Sequence, residues 1–296
     1  MGKKIGFAGL GIMGAGMASH LLRSSYDVAA YNRTRSRAEE LVALGAKVAD
    51  TPADAARGRE VVITMLADPP AVNEVVLGEK GIIEGLEKGA VLIDCSTVDP
   101  ATTEATRKAA ESKGARFIDC PVAGSKDAAA KGELILMTGG APDAVDSVRD
   151  VLETFSARIV YAGPSGSGTM LKLCFNLFVS HMAAALSEAL VLGVKSGLKP
   201  ETILETVMAG TVGARFYEWK GGCIMDRDFT TSFSTKLMHK DTGLIMSAAN
   251  ALAVPLPVTA AVKELFTMAK AHGQADEDFC SVIKVLEDLS GVEVRR

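Results

Sequence analysis

"GFAGLGIMGAGMASHLL", residues 6–22, decides the fold. A short β-rich run ends in Gly9, Gly11 and Gly14, and a helical pattern starts at once. Glycines at G-x-G-x-x-G spacing between a strand and a helix mark the turn of a dinucleotide-binding βαβ unit. Gly9 permits the tight turn, Gly11 lets the backbone approach a pyrophosphate, and Gly14 lets the helix pack close to the sheet. Leu10, Ile12 and Met13 complete the loop, and the helix N-terminus offers N–H donors with a partial positive charge. The bland alternative is a glycine-rich turn with no ligand.

Six more runs read as strands: 28–32, 61–66, 91–96, 116–121, 133–138 and 158–163. They are apolar throughout and separated by helical patterns such as 99–113 and 142–154. Such strands build a mostly parallel sheet covered on both faces, and right-handed crossovers make it doubly wound. At "GPSGSG" (163–168) the pattern changes. Residues 169–195 read as one helix of ~40 Å, with further helices near 200–209, 234–252 and 257–271. The expectation is an α/β protein. Residues 1–164 form a Rossmann domain, and residues 165–296 form an all-helical domain that opens with the long linking helix.

Composition narrows the function. The 296 residues are 48% hydrophobic with net charge −4, enough for a sizeable core and without the basic excess of a nucleic-acid binder or a polybasic membrane surface. Five cysteines without C-x-x-C spacing suggest a reduced, cytoplasmic protein. Four scattered histidines suggest no metal site. The N-terminus has no secretory pattern, and the apolar run 173–187 is shorter than the ~20 residues a bilayer span needs.

The end of the second strand selects the dinucleotide. An NAD site usually carries an acid about 20 residues past the glycines. Here "YNRTRSR" (31–37) places Asn32 and Arg33 there. Arg33 can pair with a 2′-phosphate that a carboxylate would repel. Thr34 adds a hydroxyl and is expected to cap the following helix. Arg35 and Arg37 are either phosphate ligands or a solvated face. The expected cofactor is NADP(H).

In "GTMLKLCFN" (168–176), Lys172 is the first charge of an otherwise apolar helix, and Asn176 follows one turn later. The two side chains lie about 40° apart around the helix axis and can face one cleft. On the helix alone, Lys172 can equally be a snorkelling lysine with its stem on apolar surface, and Asn176 a satisfied buried amide.

Four blocks in order resemble the β-hydroxyacid dehydrogenase family over essentially the whole chain. They are "GFAGLGIMGAGMA" (6–18), "DCPVAGSKDAAAKG" (119–132), "GSGTMLKLCFN" (166–176) and "KDTGL" (240–244). "YNRT" (31–34) and "LADPPAV" (66–72) look most similar to its glyoxylate/succinic semialdehyde reductase branch. The resemblance implies an oxidoreductase, usually dimeric or tetrameric, that acts on small aldehyde-acids or hydroxy acids. It casts Lys172 as general acid, with Asn176 orienting the lysine or substrate. A desolvated ammonium there would have its pKa lowered from ~10.4 and would offer positive charge to a developing alkoxide.

The same resemblance places Met65, Leu66, Thr97 and Lys240 near the cofactor. Thr97, Ala123, Gly124, Ser125 and Asp241 fall near the substrate, with Asp241 paired locally and backbone N–H groups near Gly124 and Ser125 binding a carboxylate, while Phe233 either covers the aldehyde chain or belongs to the ordinary core. Ala123 stands where the family usually has serine, and Ser125 where it often has glycine. Three readings are open: NADPH-dependent reduction of a short aldehyde-acid, oxidation of 3-hydroxyisobutyrate or a related acid, and a catalytically silent cofactor-binding module. Retention of Lys172 argues against the last, and its presence disfavours an imine reductase.

Overall fold

The computed structural model describes residues 2–296. Its contacts divide the chain into two units, the first ending at Leu173 and the second running from Cys174 to Arg296.

The first unit is built on nine strands: β1 Lys4–Ala8, β2 Asp27–Tyr31, β3 Lys47–Val48, β4 Val61–Thr64, β5 Val91–Asp94, β6 Arg116–Asp119, β7 Val122–Ala123, β8 Leu134–Gly139 and β9 Ser156–Gly163. Their order is β3-β2-β1-β4-β5-β6-β8-β7, with β9 on the other side of β8. Strands β1 to β6 pair in parallel, and the two antiparallel contacts are those of β8 with β6 and β7. Successive residues along a strand face opposite sides of the sheet. Accordingly Ile63 and Ile93 join one core cluster while Val62 and Leu92 join another. Both faces are covered, which is the doubly wound architecture.

Strands β3 and β7 escape the sequence pattern because two residues show no periodicity. The segment 142–154 is not one helix. It breaks at Val148, where φ −119° and ψ 11° leave the helical region, giving helices Pro142–Ser147 and Arg149–Leu152.

The expected boundary at 164 falls before the long helix, Ser167–Lys195, but the contacts divide inside that helix. The cause is local. The Asp119 carboxylate, at the end of β6, accepts the Gly166 N–H at 2.7 Å and the Thr169 N–H at 2.8 Å. Thr169 also bonds Thr103 through the two hydroxyls at 2.9 Å. The first turn of the helix is thereby fastened to the sheet. The helix has 29 residues, so by length and composition alone it could cross a bilayer, although the run 173–187 is shorter. Its buried Ala183 and Ala184 join one core cluster of the second unit, and Leu186, Leu190 and Val191 join another.

The second unit is helical: Pro200–Ala209, Arg215–Met225, Thr235–Ala251, Pro257–Ala271 and Ile283–Ser290 follow the long helix. The stretch "ARFYEWKGG" forms the second of these, and it carries a buried charge. Lys220 Nζ lies 2.8 Å from Asp278 Oδ1, both residues being 1% exposed. Asp278 Oδ2 accepts from the Ser232 N–H at 3.0 Å and also from the Ser232 hydroxyl. The ammonium rests 3.9 Å from the Trp219 ring centroid. Burial pushes the Asp278 carboxyl up, but Lys220 and the Ser232 bonds outweigh it, and the group sits below its ordinary range.

Removing one partner of such a pair strands the other. Lys220→Ala is expected to lower the unfolding free energy by about 3–5 kcal/mol in urea titrations. A depressed carboxylate stabilises the fold above its unfolded-state pKa of about 3.9, and this contribution fades as the pH falls below about 4. The wild-type advantage over Lys220→Ala should therefore shrink between pH 5 and 3. An unfolding free energy unchanged by the substitution would show that the pair is no clamp.

Candidate functional site

The glycine loop leaves the carboxyl end of β1, whose neighbours β2 and β4 lead away on opposite sides. That reversal is where open α/β sheets form a ligand crevice. Gly9 has φ +101°, and a Cβ there would lie 2.3 Å from the Met65 carbonyl oxygen. At Gly14 a Cβ would fall 1.9 Å from the Gly9 carbonyl oxygen. Both glycines are required by the fold itself. Gly11 differs: its φ is not positive, and a Cβ would meet no atom within 4 Å. Nothing in the chain demands glycine there, and a side chain would instead fill the open space above the loop.

The helix that follows, Gly14–Arg23, has no side-chain cap and no acid in its first turn. Its N-terminal amides are therefore suited to an anion. These residues fit a dinucleotide pyrophosphate. Leu10 is buried under the loop, and Ile12 is half exposed beside it.

Asn32 occupies the expected position at the end of β2 but is turned inward. Its Oδ1 accepts the Leu10 N–H at 2.8 Å and its Nδ2 donates to the Thr34 carbonyl at 2.9 Å, so the amide braces the glycine loop. The Leu10 N–H is likewise taken. The Thr34 hydroxyl caps nothing: the next helix, Ser36–Glu39, starts without a side-chain cap. Arg35 pairs with Glu39 at 3.0 Å and with Asp50. Arg33 is exposed and forms no ion pair with the described residues, and the same holds for Arg37.

A buried carboxylate organises the ends of β4 and β5. Asp94 Oδ1 accepts the Thr64 hydroxyl at 2.8 Å and the Ser96 N–H at 3.0 Å, and Ser96 Oγ accepts the Leu66 N–H at 2.9 Å. Burial raises the Asp94 carboxyl above its ordinary value. This lattice fixes Leu66 and the segment leading to half-buried Thr97. Asp94 and Asp119 are register partners on β5 and β6. Neither acid is among the expected site residues, and the signal each leaves in the sequence is an acid ending an apolar strand ("VLID", "RFID").

In the 119–132 loop, Ala123 is 3% exposed and pairs with Ile135 in the short strand β7. Gly124 has φ +146°, and a Cβ there would sit 2.7 Å from Leu134 Cδ2, so a structural need already accounts for this glycine. The Ser125 hydroxyl accepts the Ala128 N–H at 3.2 Å and caps the helix Lys126–Lys131.

Lys172 is 8% exposed and Asn176 4% exposed, one turn apart in the long helix. Within the second unit, Asn176 Nδ2 donates to Asp241 Oδ2 at 2.6 Å. Lys240 Nζ lies 2.9 Å from Asp241 Oδ1, close enough for an ion pair but outside hydrogen-bond alignment. Three of the expected residues thus form one chain, Lys240–Asp241–Asn176, in which Asp241 and Asn176 are buried and Lys240 is half-buried. Phe233 does not join it. Its ring packs edge-on to Phe279, centroids 6.1 Å apart, as part of the helical core.

The two kinds of glycine separate experimentally. Gly14→Ala should lower the melting temperature, because its Cβ has no room. Gly11→Ala should leave melting unchanged while raising the dissociation constant for the dinucleotide at least ~10-fold, since only a bound pyrophosphate needs that space. Equal dinucleotide affinity in Gly11→Ala, measured by calorimetry, would remove the loop from the site.

Comparison with known proteins agrees with this geometry. Residues 4–163 match the family pattern described as the NAD binding domain of 6-phosphogluconate dehydrogenase. Residues 166–286 match that described as NAD-binding of NADP-dependent 3-hydroxyisobutyrate dehydrogenase. The chain is 36% identical to glyoxylate/succinic semialdehyde reductase 2, chloroplastic, of Arabidopsis thaliana, over 96% of its own length and 79% of that protein. It is also 36% identical to 2-(hydroxymethyl)glutarate dehydrogenase of Eubacterium barkeri, over 98% and 97%. The solved structure of Mycobacterium tuberculosis 3-hydroxyisobutyrate dehydrogenase with L-serine superposes with a TM-score of 0.89 at 29% identity, covering 97% of this chain and 99% of that one. An oxidoreductase acting on CH–OH groups with a nicotinamide cofactor, the chain belongs to the β-hydroxyacid dehydrogenase family.

Proposed function

We propose that the protein reduces a short aldehyde-acid, of the succinic semialdehyde or glyoxylate type, to its hydroxy acid with NADPH. The observation that carries this reading is a lysine buried one turn from an asparagine whose amide is itself clamped by a buried carboxylate. The nicotinamide supplies the hydride. The Lys172 ammonium donates a proton to the carbonyl oxygen as negative charge develops there, and its charge stabilises that oxygen beforehand. Asn176, held by Asp241, presents a fixed amide beside the lysine and adds no charge. Thr97 and the backbone around Gly124 and Ser125 hold the substrate in this reading.

The preference for NADPH rests on Arg33. It is exposed at the end of β2 with no ion pair among the described residues, no carboxylate stands where one would bind ribose hydroxyls, and Asn32 is committed to the glycine loop. A guanidinium so placed suits a 2′-phosphate. The free cysteines are consistent with a reducing, cytoplasmic compartment. The oxidative reaction on 3-hydroxyisobutyrate or a related acid is a second reading, supported by the family pattern over residues 166–286. The same groups serve it in reverse, with Lys172 accepting the proton.

Two substitutions test the roles. Arg33→Ala should lower kcat/KM for NADPH at least ~10-fold and leave that for NADH nearly unchanged, since only one cofactor carries the phosphate. An unaltered NADPH/NADH ratio would sink the cofactor assignment. Lys172→Ala should lower kcat at least ~10²-fold with little change in NADPH affinity. Full activity in that variant would exclude it as the proton donor. A panel of short aldehyde-acids and hydroxy acids, assayed with both cofactors, decides between the two reactions.

A further inference from the structure

The loop 119–132 ends in a helix too short to hold itself. Lys126–Lys131 has six residues, well below the ~12–15 that a helix needs to persist alone in water. Its side chains give it little grip, since Ala129 is its one buried residue. The Ser125 hydroxyl caps its start, and Gly132, at φ +73°, closes its end. Its placement comes from outside, from the helix of the glycine loop, Gly14–Arg23.

Two residues of that longer helix, Gly16 and His20, stand one turn apart on one face and make the attachment. At Gly16 the two main chains meet. A Cβ there would lie 2.8 Å from the Ala129 carbonyl oxygen and 2.9 Å from its carbon. The obstacle is backbone, which cannot swing aside as a side chain can. Gly16 lies outside the G-x-G-x-x-G spacing and its φ is not positive, so neither a pyrophosphate nor a turn accounts for it.

At His20 the ring donates from Nε2 to the Ala130 carbonyl at 2.9 Å. A carbonyl only accepts, so the ring carries a proton on Nε2. Ala130 belongs to the last turn of the short helix, where carbonyls have no partner within the helix itself. The ring also closes over the end of that helix: a Cβ at Gly132 would fall 3.0 Å from His20 Cε1. Gly16 thus sets the distance between the two helices, and His20 sets their register.

We infer that Gly16 and His20 are positioning residues for the substrate loop: through the short helix they place the backbone at Gly124 and Ser125 that holds the substrate carboxylate. The inference rests on the reading above, in which that backbone binds the acid. A shift of the short helix passes straight to Ser125, whose hydroxyl caps it, and to Gly124, where a Cβ would fall 3.1 Å from Ala128 Cβ. One helix therefore has two duties. Its N-terminal amides suit the dinucleotide, and its flank carries the support of the substrate loop. Gly16 and His20 lie outside the Gly9–Gly14 turn and outside the Lys172–Asn176 pair, so acid binding can be weakened while dinucleotide binding and proton transfer persist.

Steady-state kinetics of the full chain with NADPH test this, comparing succinic semialdehyde with butanal and glyoxylate with acetaldehyde, together with amide hydrogen exchange. His20→Ala should raise KM for the acid ~5-fold, in line with the loss of one neutral hydrogen bond, while kcat and the NADPH dissociation constant stay nearly unchanged. His20→Gln, whose amide reaches the same carbonyl, should restore the wild-type KM. Gly16→Ala should raise KM for the acid at least ~10-fold, because it displaces the loop by main-chain contact. The uncharged aldehydes should react alike in all variants. Amides of residues 126–133 should exchange faster in both alanine variants. An unchanged KM for the acid in both would overturn the inference, and so would an equal loss with the uncharged aldehydes, the mark of a general structural role. A wild type that reduces neither acid would refute the proposed reaction; exchange then decides the attachment alone, faster exchange in His20→Ala sustaining it and unaltered exchange overturning it.

Discussion

The buried carboxylate of Asp119 is the contact on which the rest depends. It closes β6 and accepts the N–H groups of Gly166 and Thr169, so the sheet's edge and the first turn of the long helix are held by one side chain. Charge-assisted bonds to backbone amides are short and strong in a dry environment, and a carboxylate at a helix N-terminus also meets the positive end of the helix dipole. Lys172 lies one turn beyond Thr169, so its azimuth follows from this attachment. A helix that began freely after a glycine-rich linker would leave the lysine's direction undetermined.

A similar device recurs at the other strand ends. Asp94 gathers Thr64 and Ser96, Ser96 holds the Leu66 amide, and Asn32 holds the Leu10 amide. In each case a polar side chain at the carboxyl end of a strand satisfies a backbone donor of the loop beside it. Buried donors need partners, and the same bonds make the loops rigid platforms. The helical unit does this with Asp241, which fixes Asn176, and with Asp278, which fixes Lys220 and the turn through Ser232.

Much of this was readable beforehand, for reasons that differ by residue. Gly9, Gly11 and Gly14 announce themselves because steric demands act over a few neighbouring residues. The buried strands and the long helix show in their hydrophobic periods, since burial on two faces or on one stripe leaves a repeating mark. Lys172 and Asn176 stand out as polar residues in an apolar helix. Arg33 stands out because an expected acid is missing.

Other roles could not be read, because they depend on partners distant in sequence. The Asn32 amide bonds Leu10 across the end of β2, and the Thr34 hydroxyl leaves the next helix without a side-chain cap. The Ser125 hydroxyl caps a six-residue helix, and Phe233 packs on Phe279. The contacts divide the chain inside the helix because Asp119 reaches across from β6. Short-range constraints on backbone and burial pattern were set by the sequence alone. Where each polar side chain spends its hydrogen bonds was decided only by the tertiary structure, since that depends on which distant donors the fold brings within 3 Å.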